Sequence, residues 1–352
     1  MLQAEYTKYT LHFKRPAGTS RGILNNKDVF YITIWDDKNP LIKGIGECGT
    51  LPDLSYDDKP EYEKKLSEVC KNINTIDDDK LEQWPSIHFA VEMAKQDLQT
   101  GGKRILFPSQ FTESNDSMDI NGLIWMGEED FMFAQINEKL SAGFKCIKMK
   151  IGAIDWNAEL KLLKNIRVKF PASKIELRVD ANGAFSMKDA PKKLKKLSEL
   201  QIHSIEQPIK AGQTNQMFEL CNNSPIPIAL DEELIGIFGY ENKLKLLKKI
   251  KPQYIILKPS LLGGFKACNE WIEIAEKLNI GWWITSALES NIGLNAIAQW
   301  TYTLNNKMPQ GLGTGQLYTN NIPSPLKINN GKITYGDNKE WIDDESFCLY
   351  KS

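Results

Sequence analysis

Five short segments decide the fold of this chain: IKMK at 147–150, LRVD at 177–180, IEQP at 205–208, ALDE at 229–232 and ILKP at 256–259. Each begins with apolar residues typical of a buried strand and ends in charged or polar residues. The charged ends of successive segments lie 25 to 30 residues apart, which leaves room for one crossover helix and two loops. The spacing therefore predicts parallel strands arranged as a (β/α) barrel.

The charged ends of these strands carry the candidate chemistry. Side chains alternate between the two faces of a strand, so Lys148 and Lys150 should share one face of theirs. The C-terminal ends of barrel strands open onto one mouth. We therefore expect these side chains to meet there: Lys148, Lys150, Asp180, Glu206, Asp231 and Lys258. One such group alone is most often a solvated loop residue, but a set in step with the β/α period indicates an active site.

Three of these groups are carboxylates on three consecutive strands: Asp180, Glu206 and Asp231. Hard oxygen ligands of this kind suit Mg²⁺, so the pattern predicts one divalent cation, with Mn²⁺ as an alternative to Mg²⁺. The lysines precede and follow the carboxylates along the chain and should lie on opposite sides of the cation. A partly desolvated lysine near a cation has its ammonium form disfavoured, so it can act as a base near neutral pH.

The rest of the chain predicts a second, smaller domain. Residues 1–115 are expected to form an α+β domain that includes a strand at Val29–Trp35. Residues 116–322 hold eight strand candidates of the barrel, and the weakest is the last one, near Gly311. The C-terminal residues 323–352 contain an Asn-Gly hairpin. They are expected to return to the first domain and complete it.

Composition limits the classes of function and location. The 352 residues include 44 basic and 45 acidic side chains, and this balance argues against nucleic acid or an anionic membrane surface as the main partner. No stretch of about 18 apolar residues predicts a transmembrane helix, and the N-terminus lacks a secretory signal pattern. The six cysteines are scattered without a CxxC pair, which is typical of reduced thiols in a cytoplasmic protein. We expect a small-molecule partner, and the sequence predicts no oligomeric state.

Five motifs in order, KMK (148–150), DAN (180–182), EQP (206–208), LDEE (230–233) and LKP (257–259), resemble the enolase superfamily, in the branch of the muconate-lactonizing enzymes. The resemblance covers nearly the whole chain. It implies a modified TIM barrel, (β/α)7β, with an α+β N-terminal capping domain, and one Mg²⁺ held by the three carboxylates. It also implies removal of a proton next to a substrate carboxylate, which gives an enediolate intermediate.

The resemblance assigns a role to each lysine. Lys150, the second lysine of KMK, would be the catalytic acid and base. Lys148 would lie close by and tune it. Lys258 would face the opposite side of a small-molecule carboxylate substrate and stay charged, so that it stabilises the negative charge of the intermediate.

Within that branch the chain is most similar to the o-succinylbenzoate synthases. The similarity is carried by LRVDAN at 177–182, SALESNIG at 286–293 and GL at 311–312. It implies dehydration of 2-succinyl-6-hydroxy-2,4-cyclohexadiene-1-carboxylate to o-succinylbenzoate, a step of menaquinone biosynthesis. The loops at 16–22 and 50–53 would close over the mouth. The candidate substrate contacts are Arg178, Asn182, Ser286, Gly311 and, in the first of these loops, Ser20.

Two other functions stay open at this point. An N-acylamino acid racemase or dipeptide epimerase of the same branch would also need lysines on opposite faces, one to remove a proton and one to return it. Dipeptide epimerases of the branch usually carry Asp-x-Asp after the eighth strand, and residues 311–317 contain no acid, which disfavours them. A non-catalytic ligand-binding barrel would be expected to lack a lysine or a carboxylate of the set, and all are present.

Overall fold

The computed structural model describes residues 1–19, 22–114, 116–125, 127–152, 154–336 and 341. These residues form three sheets, of which the largest is parallel and seven-stranded. The strands are β1 (Leu2–Thr19), β2 (Gly22–Asp36), β3 (Asn39–Cys48), β4 (Ser117–Asp119), β5 (Gly122–Ile124), β6 (Cys146–Lys150), β7 (Glu176–Asp180), β8 (Ser204–Glu206), β9 (Ile228–Leu230), β10 (Tyr254–Leu257), β11 (Gly281–Ile284), β12 (Leu326–Asn329) and β13 (Lys332–Tyr335).

Helices connect most of these strands. They are α1 (Tyr62–Lys71), α2 (Pro85–Gln99), α3 (Gln110–Glu113), α4 (Glu129–Ser141), α5 (Trp156–Lys169), α6 (Ala190–Ser198), α7 (Thr214–Asn223), α8 (Tyr240–Ile250), α9 (Pro259–Leu262), α10 (Gly264–Lys277) and α11 (Asn291–Thr303). Short 3₁₀ turns lie at Asp78–Leu81 and Glu232–Leu234. Within the described part of the chain, none of the helices has the length and apolar character needed to cross a membrane.

The antiparallel sheet β1-β2-β3 has buried apolar side chains on both of its faces, since successive side chains of β2 point to opposite sides of the sheet. Ile32 and Ile34 pack in one cluster with residues of α1 and α2. Val29 and Tyr31 belong to a second cluster that includes Ile292 of α11. The N-terminal sheet is therefore held between its own helices and the barrel.

Two glycines let α2 lie directly against β3. A Cβ atom added to Gly44 would lie 2.0 Å from the carbonyl oxygen of Ala94, and one added to Gly46 would lie 1.9 Å from that of Ala90. A larger residue at either position would push the helix away from the sheet. Since α2 also packs on α9 and α10, this close approach helps to position the N-terminal region on the barrel.

The barrel wall runs in the order β5-β6-β7-β8-β9-β10-β11. Gln310 and Gly311 take the eighth position, because Gln310 bridges in parallel to Ile120 before β5 and Gly311 bridges in parallel to Thr285 after β11. The Gly311 amide also donates a hydrogen bond to the carbonyl of Ile284 at 2.7 Å. The predicted (β/α)7β architecture is thus confirmed, with an eighth strand reduced to two residues.

Alternation along β6 separates packing from chemistry. Ile147 and Met149 are fully buried in the main hydrophobic core. Lys148 and Lys150 instead form ion pairs with carboxylates at the ends of the next two strands, β7 and β8. This pattern agrees with the predicted division of each strand into an apolar face and a charged face.

After the barrel the chain first returns to the N-terminal sheet, where Tyr318 bridges to Phe13 of β1. The predicted Asn-Gly hairpin is confirmed as β12 and β13, and β13 pairs with β4. Beyond Gly336, the predicted C-terminal segment 323–352 lies outside the described residues except for residue 341. The domain boundaries at 115/116 and 322/323 stay predictions.

Candidate active site

The C-terminal ends of the barrel strands open into a cavity of about 110 Å³. The N-terminal region contributes Leu51 and Leu54 to its wall, so the segment after β3 lies at the mouth. The charged and amide side chains that line it are Asn121, Lys148, Lys150, Asp180, Asn182, Asp231, Glu232 and Lys258. Two larger clefts lie elsewhere, one of about 660 Å³ beside α7 and α8 and one of about 600 Å³ at the N-terminal ends of β10 and β11, and the residues that line them include none of the predicted site residues.

Buried ion pairs connect the lysines with the carboxylates at the base of this cavity. The Nζ atom of Lys148 donates to Oε2 of Glu206 at 2.8 Å and to Oδ2 of Asp180 at 3.4 Å. Lys258 donates to Asp231, and its Nζ lies 3.9 Å from Oε1 of Glu206. The carboxylate side chains are only 2 to 3% exposed. Charges buried this deeply are tolerated because each has an opposite charge close by.

Lys150 is held differently from the other two lysines. Its Nζ donates to Oδ1 of Asn182 at 2.8 Å and lies 3.6 Å from Oδ2 of Asp180. The amide nitrogen of Asn182 donates in turn to Oε1 of Glu232 at 3.1 Å. Asn182 therefore links Lys150 to a carboxylate beyond the three on consecutive strands.

The strand order places Lys150 and Lys258 on opposite sides of the cavity. Lys150 ends β6, the second of eight positions around the barrel, and Lys258 follows β10, the sixth position. Positions four strands apart in an eight-position barrel face each other across its axis. Lys150 and Lys258 thus lie on opposite sides of the cavity, and their roles toward a substrate stay predictions.

Burial and neighbouring charges shift the pKa values of these groups in different directions. For Asp180, burial is outweighed by Lys150 and Lys148, and the pKa falls to about 2. For Glu206, burial and the charge of Asp180 raise the pKa to about 7. Burial disfavours the ammonium of Lys258, but Asp231 and Glu206 outweigh it and raise its pKa above the ordinary value. Lys258 is therefore a cation at neutral pH.

The donor set fits a divalent cation. Oε1 of Glu206 is buried and has no hydrogen-bond partner among the described residues. The described acidic residues do not form a preassembled group of three ligands, and Asp180 and Asp231 each accept a hydrogen bond from a lysine. The four carboxyl groups of the site outnumber its three lysines, so a divalent cation would offset negative charge that the lysines leave unbalanced. Oxygen donors of this kind suit Mg²⁺.

Arg178, a predicted substrate contact, does not line this cavity. Its Nε donates to Glu176 at 2.7 Å, its Nη1 donates to the carbonyl of Pro309 at 2.9 Å, and its guanidinium stacks 4.2 Å from the ring centre of Trp283. Glu176 begins β7 and Pro309 precedes the eighth strand, so the guanidinium points away from the C-terminal mouth. These contacts indicate a structural role for Arg178.

Two other predicted substrate contacts do meet at the cavity. Ser286 and Gly311 both line it, and the amide of Ser286 donates to the carbonyl of Gly311 at 3.1 Å. The Ser286 hydroxyl shares a hydrogen bond of 2.5 Å with the hydroxyl of Thr314, a lining residue that sequence reasoning missed. The predicted contact at Ser20 lies outside the described residues.

Sequence reasoning also missed Glu232, Leu261 and Leu288 as cavity residues. Strand alternation would turn Glu232 away from the face of Asp231, but the 3₁₀ turn that begins at Glu232 redirects it. The only sequence feature that could have indicated Glu232 as a cavity residue is its position next to Asp231 in LDEE. Leu261 and Leu288 lie in segments just after β10 and β11, where the sequence has no hydrophobic periodicity that would indicate which way a side chain points.

Comparison with known proteins agrees with this geometry. A family model described as enolase C-terminal domain-like matches residues 132–339. An o-succinylbenzoate synthase of Desulfotalea psychrophila is 46% identical across 94% of this chain and 98% of that protein. The crystal structure of MenC from Desulfotalea psychrophila LSv54 superposes with a TM-score of 0.84 at 42% identity, covering 95% of this chain and 99% of that chain. A hydrophobic dipeptide epimerase of Enterococcus faecalis is 30% identical across 67% of this chain and 63% of that protein.

The family match spans the barrel from α4 onward, which is more than half of the chain. It includes every strand end that carries a lysine or a carboxylate of the cavity. The resemblance inferred from five short motifs is therefore confirmed, and the match covers all five of them. The chain belongs to the enolase C-terminal domain-like family, within the enolase superfamily.

Proposed function

We propose that this chain is an o-succinylbenzoate synthase. It would remove water from 2-succinyl-6-hydroxy-2,4-cyclohexadiene-1-carboxylate and so supply o-succinylbenzoate to menaquinone biosynthesis. The observation that carries the proposal is the 46% identity, across 94% of the chain, to a protein of that name. The racemase or epimerase alternative is not favoured, because the epimerase relative is more distant and residues 311–317 carry no acid.

One divalent cation, Mg²⁺ or Mn²⁺, would be held by Asp180, Glu206 and Asp231. When bound, it would neutralise negative charge that develops on the substrate carboxylate. The support for this proposal is the excess of carboxylates over lysines and the buried oxygen of Glu206 that lacks a hydrogen-bond partner among the described residues.

Lys150 would carry out both proton transfers of the dehydration. Its Nζ would take the proton next to the substrate carboxylate and then return that proton to the departing hydroxyl group, so that water leaves and the ring becomes aromatic. Asn182 would hold the Nζ atom in place through its side-chain oxygen. Lys148, fixed between two carboxylates, would add positive charge nearby without transferring a proton.

Lys258 would act as a fixed cation on the opposite side of the substrate. Its contacts with Asp231 and Glu206 keep it protonated, so it would stabilise developing negative charge. Ser286 and Gly311 are candidates for contact with the succinyl side chain, because both line the cavity. Leu51 and Leu54 would help to exclude water from the mouth.

A location in the cytoplasm is part of the same proposal. Five of the six cysteines lie in the described part of the chain, and all five are buried with free thiols: Cys48, Cys70, Cys146, Cys221 and Cys268. Buried free thiols persist in a reducing compartment, whereas oxidising compartments favour disulfides. This use of cysteine and a small-molecule carboxylate substrate are both consistent with a metabolic enzyme.

The test is a spectroscopic dehydration assay with and without Mg²⁺. We expect metal-dependent turnover by the wild type, loss of turnover in Lys150→Ala, and normal turnover in the control Lys188→Ala, whose side chain is exposed. Absence of turnover by a folded protein that binds Mg²⁺ would refute the synthase proposal. Deuterium exchange at the α-carbon of N-acylated amino acids would then test for racemase activity.

A further inference from the structure

The turn between β11 and α11 forms part of the cavity wall. Ser286, Ala287 and Leu288 all line the cavity. Leu288 has a φ of +64°, in the left-handed region that is unfavourable for a leucine. Such a conformation persists only where the surrounding structure holds it in place, so the contacts that hold this turn bear on the shape of the cavity.

The carbonyl group of Leu288 is held by two donors from outside the barrel strands. Nζ of Lys27, on β2, donates to it at 2.9 Å, and the hydroxyl of Tyr318, after the eighth strand, donates at 2.7 Å. Lys27 is only 6% exposed. A lysine buried in the N-terminal sheet thus donates a hydrogen bond to the backbone of a cavity residue that lies 261 positions away in the sequence.

Glu47 holds the next part of the same turn. Its carboxylate accepts hydrogen bonds from the amide of Ser290 at 2.7 Å, the hydroxyl of Ser290 at 2.6 Å and the amide of Gly293 at 2.8 Å. Glu47 ends close to the first residue of α11, where a negative charge also interacts favourably with the helix dipole. The hydroxyl of Tyr31, on β2, donates to Ser290 as well, at 3.0 Å.

A third contact ties the turn to the segment that follows Lys258. Oε1 of Glu289 accepts from the hydroxyl of Ser260 at 2.5 Å, and Oε2 accepts from the amide of Ala287 at 2.6 Å. Ser260 lies in α9, which begins immediately after Lys258. The turn is therefore fixed relative to both the N-terminal sheet and the side of the cavity that carries Lys258.

We propose that Lys27 and Glu47 are positioning residues for the substrate. Through the Leu288 carbonyl and Ser290, they hold the part of the cavity wall at residues 286–288 in the conformation that binds the substrate. Neither Lys27 nor Glu47 is among the residues that line the cavity. Because the lysines that carry the chemistry lie on other strands, loss of either tether weakens substrate binding more than it slows proton transfer. This inference rests on the proposed function, since the effect is on the Michaelis constant of the dehydration.

Lys27→Met is the main test, because methionine keeps most of the length and the apolar stem of lysine and removes the donor together with its positive charge. We expect KM to rise about 5- to 10-fold, as loss of a buried hydrogen bond predicts, while kcat changes by less than about 3-fold. Tyr318→Phe removes the second donor and should act in the same direction. Lys27→Arg restores a donor and should recover most of the loss. The control is Lys8→Met, an ion-paired lysine of the same sheet that is 51% exposed.

A purely structural role predicts a different result: a lower kcat in proportion to the folded fraction, with KM unchanged. That result, or wild-type kinetics in Lys27→Met, would overturn the inference. A second readout does not depend on activity. With ¹³C-labelled leucine methyl groups, the Leu288 resonance, assigned by its loss in Leu288→Ile, should shift in Lys27→Met and Tyr318→Phe but not in Lys8→Met. If it does not shift, the inference fails even where the wild type shows no dehydration.

Discussion

Removal of the Asn182 side chain should slow catalysis by releasing Lys150. In the structure Oδ1 of Asn182 accepts a hydrogen bond of 2.8 Å from Lys150, and its amide nitrogen donates to Glu232. Asn182 has a φ of +42°, so alanine would add backbone strain of its own. Glycine tolerates this conformation, and Asn182→Gly therefore removes the contact with the least disturbance of the turn.

The size of the effect follows from the kind of hydrogen bond that is lost. A hydrogen bond to a charged group contributes about 1.5 to 3 kcal/mol, and about 1.4 kcal/mol corresponds to a tenfold change in rate. The upper limit is thus a loss of roughly 150-fold in kcat. Lys150 keeps its ion pair with Asp180 at 3.6 Å, so its Nζ stays near the correct position. We expect the lower part of the range, about 10- to 30-fold in kcat, with KM changed by less.

The assay is steady-state dehydration at saturating Mg²⁺, with kcat and KM measured separately. Asn182→Asp keeps an oxygen acceptor for Lys150 and should retain more activity than Asn182→Gly. Asn279→Gly is the matched control, because Asn279 is also at positive φ but is exposed at the end of α10. A large rise in KM with an unchanged kcat would refute this reasoning and would favour the direct substrate contact that the sequence predicted for Asn182.

Three further predictions concern charge. Lys258→Arg should keep measurable dehydration because it keeps the cation, whereas loss of all activity would indicate that Lys258 itself transfers a proton. Millimolar Mg²⁺ should raise the melting temperature of the wild type but raise that of Glu206→Gln much less; equal stabilisation would argue against Glu206 as a ligand. Burial raises the pKa of Asp57 from 3.8 to about 6, so the folded state binds an extra proton between these values and loses stability as pH rises through them. The unfolding free energy of Asp57→Asn should therefore increase relative to that of the wild type, by up to about 3 kcal/mol, as the pH rises from about 4 to about 7. Denaturant titrations at a series of pH values measure this difference. The prediction would be contradicted if the difference changed with pH no more than it does for the exposed control Asp58→Asn.

The positions of the strands that carry the lysines and carboxylates of the cavity could be predicted from the sequence because two constraints act together there. A buried parallel strand must be apolar, and its last residues must turn polar where they reach the mouth. The segments that end at Lys150, Asp180 and Glu206 satisfy both constraints. The eighth strand could not be predicted with the same precision, because Gln310 and Gly311 pair through only one bridge each and lack the apolar run of a longer strand.

Side-chain direction explains where the sequence prediction was incomplete. Alternation places Arg178 and Asp180 on the same face, but it does not report how far a long side chain extends along the barrel axis. The guanidinium ends on the carbonyl of Pro309 and the ring of Trp283, which lie more than 100 positions further along the chain. Contacts of this kind depend on the closed barrel and cannot be read from local sequence.

The strand ends carry the lysines, whereas loops form much of the cavity wall, and this difference bears on which reaction the site catalyses. Two lysines on opposite sides of a cavity suit both a dehydration and a transfer of a proton from one face of a carbon to the other, so Lys150 and Lys258 alone do not select one reaction. The residues that can select one reaction are those of the cavity wall, including Leu51 and Leu54 from the N-terminal region and Leu288 from the turn after β11. Because Lys27 of the N-terminal sheet holds that turn, the N-terminal region reaches the wall both directly and through the barrel. The identity of the substrate should therefore depend on how the N-terminal region packs against the barrel as much as on the residues that carry the chemistry.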